Sequence, residues 1–303
     1  MSEESNPPLR IGVDLGGTKT EAIALDAASG AELDRCRVPT VKGDYAATIA
    51  TIKDLVLGLE SRLGRRGRVG IGIPGTISPA TGLVKNANSI WLIGKPFDRD
   101  LEMALGRQVR LANDADCFAL SEATDGAGVG ADIVFGVILG TGVGAGVVVH
   151  GRLLSGPNAI AGEWGHNPLP WPEQDEQPGH ACYCGKFGCV ETFLSGPAIE
   201  RQFGQGVRLP DIVALAEQGD DRAEGLLDRT EDRLARALAT VINVLDPHVV
   251  VLGGGVGNVA RLYRNVPRLW GEYVFSDQVA TRLLPPVHGD SSGVRGAAWL
   301  WPK

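Results

Sequence analysis

The apolar positions of this chain fall into short continuous runs and longer stretches of helical period. Leu9-Arg10-Ile11-Gly12-Val13-Asp14 reads as a strand, and Gly16-Gly17-Thr18 turns it into a second strand over Glu21 to Leu25. Asp44 stands as the N-cap of a helix, because Tyr45, Ile49, Ile52, Val56 and Leu59 follow at the 3.6-residue period. Val69 to Ile73 is a buried strand stopped by Pro74-Gly75, and 79–98 is rich in turn formers and reads as a loop. Val109 to Ala112 is a further strand, with Asn113 capping a helix that runs to about Glu122. The strand–turn–strand pattern then returns: Ile133 to Leu139, a glycine-rich turn, and a strand over Val147 to His150. That echo predicts an internal duplication into two related halves. A long helix from about Arg222 to Leu245 places Leu234, Leu238, Val241, Ile242 and Leu245 on one face, and Asp246-Pro247 ends it. Val249 to Leu252 is a buried strand, after which Gly253-Gly254-Gly255 opens another helix.

Composition narrows the class. A chain of 303 residues is long enough for two domains, and with no Pro- or Ser-rich linker the boundary is placed near residue 113. No apolar run approaches the roughly 20 residues that span a bilayer. Met1 to Pro8 has neither the basic start nor the apolar core of an export signal, so a cytoplasmic protein without a membrane partner is expected. A net charge of −7 argues against nucleic acid, whose phosphates need a basic face.

The 42 glycines are concentrated at turns that follow apolar strands, where backbone N–H groups can converge on phosphate. Asp14-Leu15-Gly16-Gly17-Thr18-Lys19-Thr20 comes near a P-loop, but Thr18 intervenes before the lysine and a strand follows in place of a helix. Gly140-Thr141-Gly142-Val143-Gly144-Ala145 formally fits a dinucleotide fingerprint, yet it too continues as strand, which sets a nicotinamide oxidoreductase aside. Gly253, Gly254 and Gly255 lie between strand and helix. Three such turns, the first led by Asp14, predict a nucleoside triphosphate held between two domains, with Asp14 placed to hold Mg²⁺ through water.

Two further patterns carry chemistry. Asn113-Asp114 sits at a strand-to-helix junction, where the helix N-terminus stabilises a carboxylate that can accept a hydroxyl proton. Three of the five cysteines, Cys182, Cys184 and Cys189, fall within eight residues. Thiolate and imidazole together suit zinc, and spacing alone leaves His166 and His180 both open as the fourth ligand. Glu163 and Glu191 flank the group and read as binding residues held in place by the metal.

In order along the chain, Asp14-x-Gly-Gly-Thr18, Asn113-Asp114-Ala115, Leu139-Gly-Thr-Gly142, Glu163-x-Gly-His166, Cys182-x-Cys-Gly-x-x-Gly-Cys189-x-Glu191 and Gly253-Gly-Gly255 resemble the ROK family (repressor, open reading frame, kinase) of bacterial sugar kinases. The resemblance spans about residues 9–300. It implies an α/β, actin-like (ribonuclease H-like) ATPase fold of two domains with an interdomain cleft. The small α/β domain would be 1–112 with a C-terminal helix at about 291–303, and the large one 113–290 with the zinc-binding loop.

By the same resemblance Asp114 is the general base, and Asn88, Asn113, Asp114, Glu163, His166 and Glu191 contact or support the sugar. Zinc falls to His166, Cys182, Cys184 and Cys189. ATP meets Asp14, Gly16, Gly17, Thr18, Lys19, Gly140, Thr141 and Gly142, with adenosine near Gly253, Gly254 and Gly255. A homodimer is implied.

Asn86 to Trp91, Glu163 to Trp171 and His288 to Trp299 look most like the fructokinase (mannokinase) branch. The expected reaction is therefore phosphorylation of a hexose 6-hydroxyl, with fructose first and mannose or glucose besides. N-acetylglucosamine or N-acetylmannosamine is the alternative. A sugar-sensing repressor needs a DNA-binding segment ahead of Leu9, where only eight residues stand. The segment 172–179 carries no assigned role.

Overall fold

The computed structural model describes residues 9–302, which divide into two compact units. The first comprises the chain to Gly126, Leu153–Ala161 and the segment from Ser291 onward. Its elements are β1 (Leu9–Leu15), β2 (Lys19–Asp26), β3 (Glu32–Pro39), α1 (Tyr45–Leu63), β4 (Gly67–Ile73), the short hairpin β5 (Thr76–Ile77) and β6 (Val84–Lys85), α2 (Phe97–Leu105), β7 (Val109–Asn113) and α3 (Asp114–Asp125). The sheet runs β3-β2-β1-β4-β7; β1 pairs antiparallel with β2 and parallel with β4. Asp44 caps α1 as expected, its carboxylate accepting from the Ala47 N–H at 2.9 Å.

β1 is buried on both faces, and its apolar residues Leu9, Ile11, Val13 and Leu15 alternate with Arg10, Gly12 and Asp14. One face packs on Ile52, Val56, Leu59, Phe97 and Leu101 of α1 and α2. The other is glycine: Gly12 and Gly70 are direct partners in the β1–β4 register. A Cβ at Gly12 would stand 2.0 Å from the Val294 carbonyl oxygen, and one at Gly70 1.9 Å from that of Ala297. The C-terminal helix, Ser292–Trp299, lies with its backbone directly on this glycine window. It also meets α3 closely, for a Cβ at Gly296 would be 1.6 Å from the Cys117 carbonyl oxygen. This packing is why the unit extends to Gly126, past the boundary expected at 112.

The second unit holds β8 (Ile133–Leu139), β9 (Val143–Val149), α4 (Glu191–Leu194), α5 (Gly196–Phe203), α6 (Leu209–Glu217), α7 (Asp221–Leu245), β11 (Val249–Gly253), α8 (Gly254–Gly257), α9 (Leu262–Leu269) and β12 (Arg282–Leu284), and its chain leaves through the two-residue β10 (Arg152–Leu153), of which Arg152 is its last residue there. Its sheet order, β10-β9-β8-β11-β12, repeats the order of the first: three consecutive strands, then two reached by crossovers. The predicted duplication is thus visible in topology. Leu226, Leu227, Leu234, Leu238 and Ile242 of α7 form the core with Val250 and Leu252.

Several sequence expectations differ from this. β3 and α2 were not foreseen, and 79–98 is less irregular than its composition, since it holds β6, a 3-10 turn at Ile90–Leu92 and the start of α2. The strand after the second glycine turn begins at Val143, not Val147, because Gly144 and Gly146 pair with Ile138 and Gly136. The helix opened by Gly254 is a single turn. Among the described residues no helix is long and apolar enough to cross a membrane.

Candidate active site

Each unit carries its own set of the predicted site residues. In the first, β1 and β2 are joined by the tight turn that Gly16, Gly17, Thr18 and Lys19 form. The Gly16 N–H donates to the Lys19 carbonyl at 3.0 Å, and the Thr40 hydroxyl holds the Gly16 carbonyl at 2.7 Å. Gly17 and Thr18 are exposed. Asp14 ends β1 beside this turn. Burial, then the negative charges of Asp114 and Glu21, push its carboxyl up to about 7, against the pull of Lys19.

Asn113 closes β7 in extended conformation and caps α3, its Oδ1 accepting from the Ala115 N–H at 2.9 Å. Its Nδ2 donates to the Gly75 carbonyl at 3.2 Å. Gly75 has φ +94°, and a Cβ there would lie 2.5 Å from the Lys85 carbonyl oxygen and 2.9 Å from the Ala87 Cα. Only glycine lets the 85–88 segment, with exposed Asn88, close on position 75, whose carbonyl Asn113 holds. Asp114 opens α3 with an exposed carboxylate, one oxygen accepting from the Ala115 N–H at 2.9 Å.

In the second unit Gly140, Thr141 and Gly142 turn β8 into β9. The Gly140 N–H donates to the Gly142 carbonyl, and the Gly196 N–H to that of Gly140, both at 2.9 Å. Gly254, at φ +79°, packs so closely that a Cβ would be 2.4 Å from the Leu139 carbonyl oxygen. Two of the three glycine turns, Gly140–Gly142 and Gly253–Gly255, are thereby adjacent. Gly196 is a support that sequence reading missed.

Glu163 to His166 form a 3-10 turn over β9, entered through Gly162 at φ +92°. A Cβ on Gly165 would come within 2.2 Å of the Val143 carbonyl oxygen, so the segment lies flat on the hairpin. Trp164 is buried edge-on against Phe135, while Glu163 is exposed. Glu191 opens α4, and its Oε2 accepts from the Val143 N–H at 2.9 Å. Its Oε1 stands 4.0 Å from Cys182 Sγ. One carboxylate therefore joins the cysteine loop to the glycine turn, a connection the spacing did not reveal.

His166, Cys182, Cys184 and Cys189 bring one ligand atom each within 4.8 Å of one another. His180, the rival for the fourth position, lies against Phe193 instead. Zinc bonds of about 2.3 Å to sulfur and 2.0–2.1 Å to nitrogen set tetrahedral edges of roughly 3.8 Å (S to S) and 3.6 Å (S to N). The Cys184 and Cys189 sulfurs are 3.6 Å apart, and Cys182 Sγ is 3.5 Å from His166 Nδ1. The donor set and these two edges fit a zinc ion.

The ROK family profile matches residues 10–303. The N-acetyl-D-glucosamine kinase of Pectobacterium atrosepticum is 39% identical over 300 residues, covering 95% of this chain and 97% of that one. The structure of a ROK hexokinase from Thermus thermophilus superposes with TM-score 0.85 at 32% identity, over 96% of this chain and 97% of that one. A ROK glucokinase from Streptomyces griseus, solved with glucose and AMPPNP, gives TM-score 0.77 at 28% identity, over 96% and 98%.

Paired sheets of one topology, each with a glycine turn at its first hairpin, define an actin-like ATPase fold of two domains. The chain belongs to the ROK family, and within it is a sugar kinase. The relatives of 38–40% identity are N-acetyl-D-glucosamine kinases, so the expected fructokinase branch is not the one these matches favour.

Proposed function

We propose that this protein transfers the γ-phosphoryl group of ATP to the 6-hydroxyl of a hexose, with Asp114 as the general base. The observation that carries this is a pair of carboxylates in the first unit. Asp114 is exposed on the first turn of α3, and its charge is felt by Asp14 at the end of β1. Asp114 takes the proton as the sugar oxygen attacks phosphorus; Asp14 is assigned to magnesium through water. The turns at Gly16–Lys19 and Gly140–Gly142 offer backbone N–H groups to phosphate, and Gly253–Gly255 gives adenosine a surface without side chains. Asn88, Asn113, Glu163 and Glu191 are assigned to the sugar hydroxyls, and His166 to their support.

His166, Cys182, Cys184 and Cys189 are assigned to zinc, which when bound supplies a fixed loop geometry and not the chemistry. Dialysis against a chelator should raise the KM for sugar before that for ATP.

N-acetyl-D-glucosamine is the acceptor that the curated relatives support. D-fructose is the second reading, supported by the segments Asn86–Trp91, Glu163–Trp171 and His288–Trp299. ADP release coupled to NADH oxidation, measured with N-acetyl-D-glucosamine, N-acetyl-D-mannosamine, fructose, mannose and glucose, separates the two by kcat/KM. No ADP release with any sugar would overturn the kinase reading altogether.

A further inference from the structure

The sugar side of this reading depends on His166, whose imidazole has two nitrogens. Nδ1 is 3.5 Å from Cys182 Sγ, so it is the nitrogen that faces the sulfurs and lends its lone pair to a metal. The ring proton then belongs on Nε2, which becomes a donor. Tyr183 Oη stands 2.9 Å from that Nε2, and the two rings meet edge-on at 87° with centroids 5.1 Å apart. The single Nε2 proton is thus given to the phenol oxygen, as metal-ligating histidines commonly give theirs to a neighbouring acceptor. His166 has no third nitrogen.

The outward end of this relay is the Tyr183 hydroxyl, which still has its own proton to donate. The side chain is 77% exposed although it sits between two cysteines of the loop. Tyrosine at so exposed a position does not contribute to the core. The two carboxylates assigned to the sugar adjoin the immediate neighbours of Tyr183: Glu163 opens the 3-10 turn that His166 closes, and Glu191 Oε1 stands 4.0 Å from the sulfur of Cys182. A hexose held by those carboxylates would find the His166 proton already given to the phenol, and the phenol's own proton beside it.

We propose that Tyr183 is a sugar-contacting residue, its hydroxyl accepting from His166 Nε2 and donating to an oxygen of the bound hexose. A donor already engaged as an acceptor is polarised, which strengthens the bond it gives. The inference rests on the sugar-kinase reading and adds a residue to it that neither the spacing nor the resemblance supplied.

Tyr183→Phe removes the hydroxyl and nothing else. The sugar KM should rise about fivefold, the loss of one hydrogen bond near 1 kcal/mol, with the ATP KM unchanged. Calorimetric titration of sugar without nucleotide should weaken by the same factor, and zinc content after gel filtration should equal that of the wild type. An unchanged sugar KM would overturn the proposal. So would a lowered one, which would mean that the phenol only competes with sugar for His166. Loss of zinc from the variant would also overturn it, since the hydroxyl would then act by holding a metal ligand. These outcomes are read against a wild type that releases ADP; a wild type silent with every sugar removes the kinase reading itself and this inference with it.

Discussion

Replacing Glu176 should cost more stability than replacing any exposed carboxylate of the second unit. Glu176 lies on a 3-10 turn, Gln174–Glu176, in the segment to which no role was assigned from sequence, and only 5% of it is exposed. Arg233 Nε donates to Oε1 at 2.6 Å, and Arg236 donates to Oε2 at 2.9 Å and Oε1 at 3.0 Å. Arg236 also holds the Trp171 carbonyl at 2.7 Å, so both ends of the segment are fastened to α7. Glu176→Gln keeps the shape and deletes the charge. Arg236 retains Asp232 and Arg233 retains Gln202, but neither guanidinium keeps its buried counter-ion. Breaking a buried pair from one side costs about 3–5 kcal/mol.

The titration of Glu176 gives a second figure. Burial raises its carboxyl, but the hydrogen bonds from Arg236 and Arg233 outweigh that and hold it at about 2, below the ordinary 4.5. A depression of that size corresponds to about 3 kcal/mol. Because the folded value is the lower one, this contribution is complete above pH 4.5 and is lost as pH falls toward 2. Urea unfolding followed by circular dichroism should show a gap of about 3 kcal/mol between wild type and variant at pH 7, shrinking to roughly half at pH 3. A gap below about 1 kcal/mol at pH 7, or one that does not change with pH, would refute the reasoning.

Three other outcomes follow from the site. Asp114→Asn should lower kcat by about 10²–10⁴ with an unchanged melting curve, and near-normal turnover would exclude it as the base. Gly142→Ala places a Cβ 2.7 Å from Glu191 Oε2, so it should break the bond to the Val143 N–H and raise the KM for both substrates; wild-type constants would show that this bond is idle. Since the carboxyl of Asp14 is raised to about 7, it becomes protonated below that pH. If its ionised form is needed, kcat/KM for Mg·ATP should fall about tenfold per unit below pH 7 and level off above, a dependence that Asp14→Asn should abolish.

How far the sequence predicted all this depended on whether each signal was local. The glycine turns, the Asp44 cap and the Asn113 cap depend on residues a few positions apart, and they stand where spacing put them. β3 is a partly exposed edge strand, Glu-Leu-Asp-Arg-Cys-Arg-Val-Pro, whose charges hide its period; only pairing with β2 makes it a strand. The glycine window for the C-terminal helix joins Gly12 and Gly70 to residues more than two hundred positions away, and no pattern near them announces it. The cysteine spacing pointed to a metal but left His166 and His180 open; the resemblance chose His166, and the distances group it, not His180, with the cysteines. Glu176 lies in the segment left without a role, because its two arginines stand on a distant helix.

If His166 and the three cysteines hold zinc as proposed, the order in which function fails on its removal follows from the supports on each side of Glu191. Cys189 stands two residues before Glu191, and the isolated bridge between Pro168 and Cys189 ties the loop to the segment after His166. If the four ligands lose their common ion, the start of α4 loses its nearest fixed point, and the first contact affected is the Glu191 carboxylate. The glycine turn beyond it keeps other supports: its own Gly140–Gly142 hydrogen bond, the bond from Gly196, and the close packing of Gly254. α4 is itself secured downstream, since Gln202 donates to the Phe193 carbonyl at 3.2 Å and Arg201 to that of Thr192 at 3.0 Å. Displacement should therefore stop at Glu191 and its sugar-facing neighbours. Equal loss of ATP and sugar affinity on chelation would mean that the Val143 bond, not the loop, is what the metal holds in place.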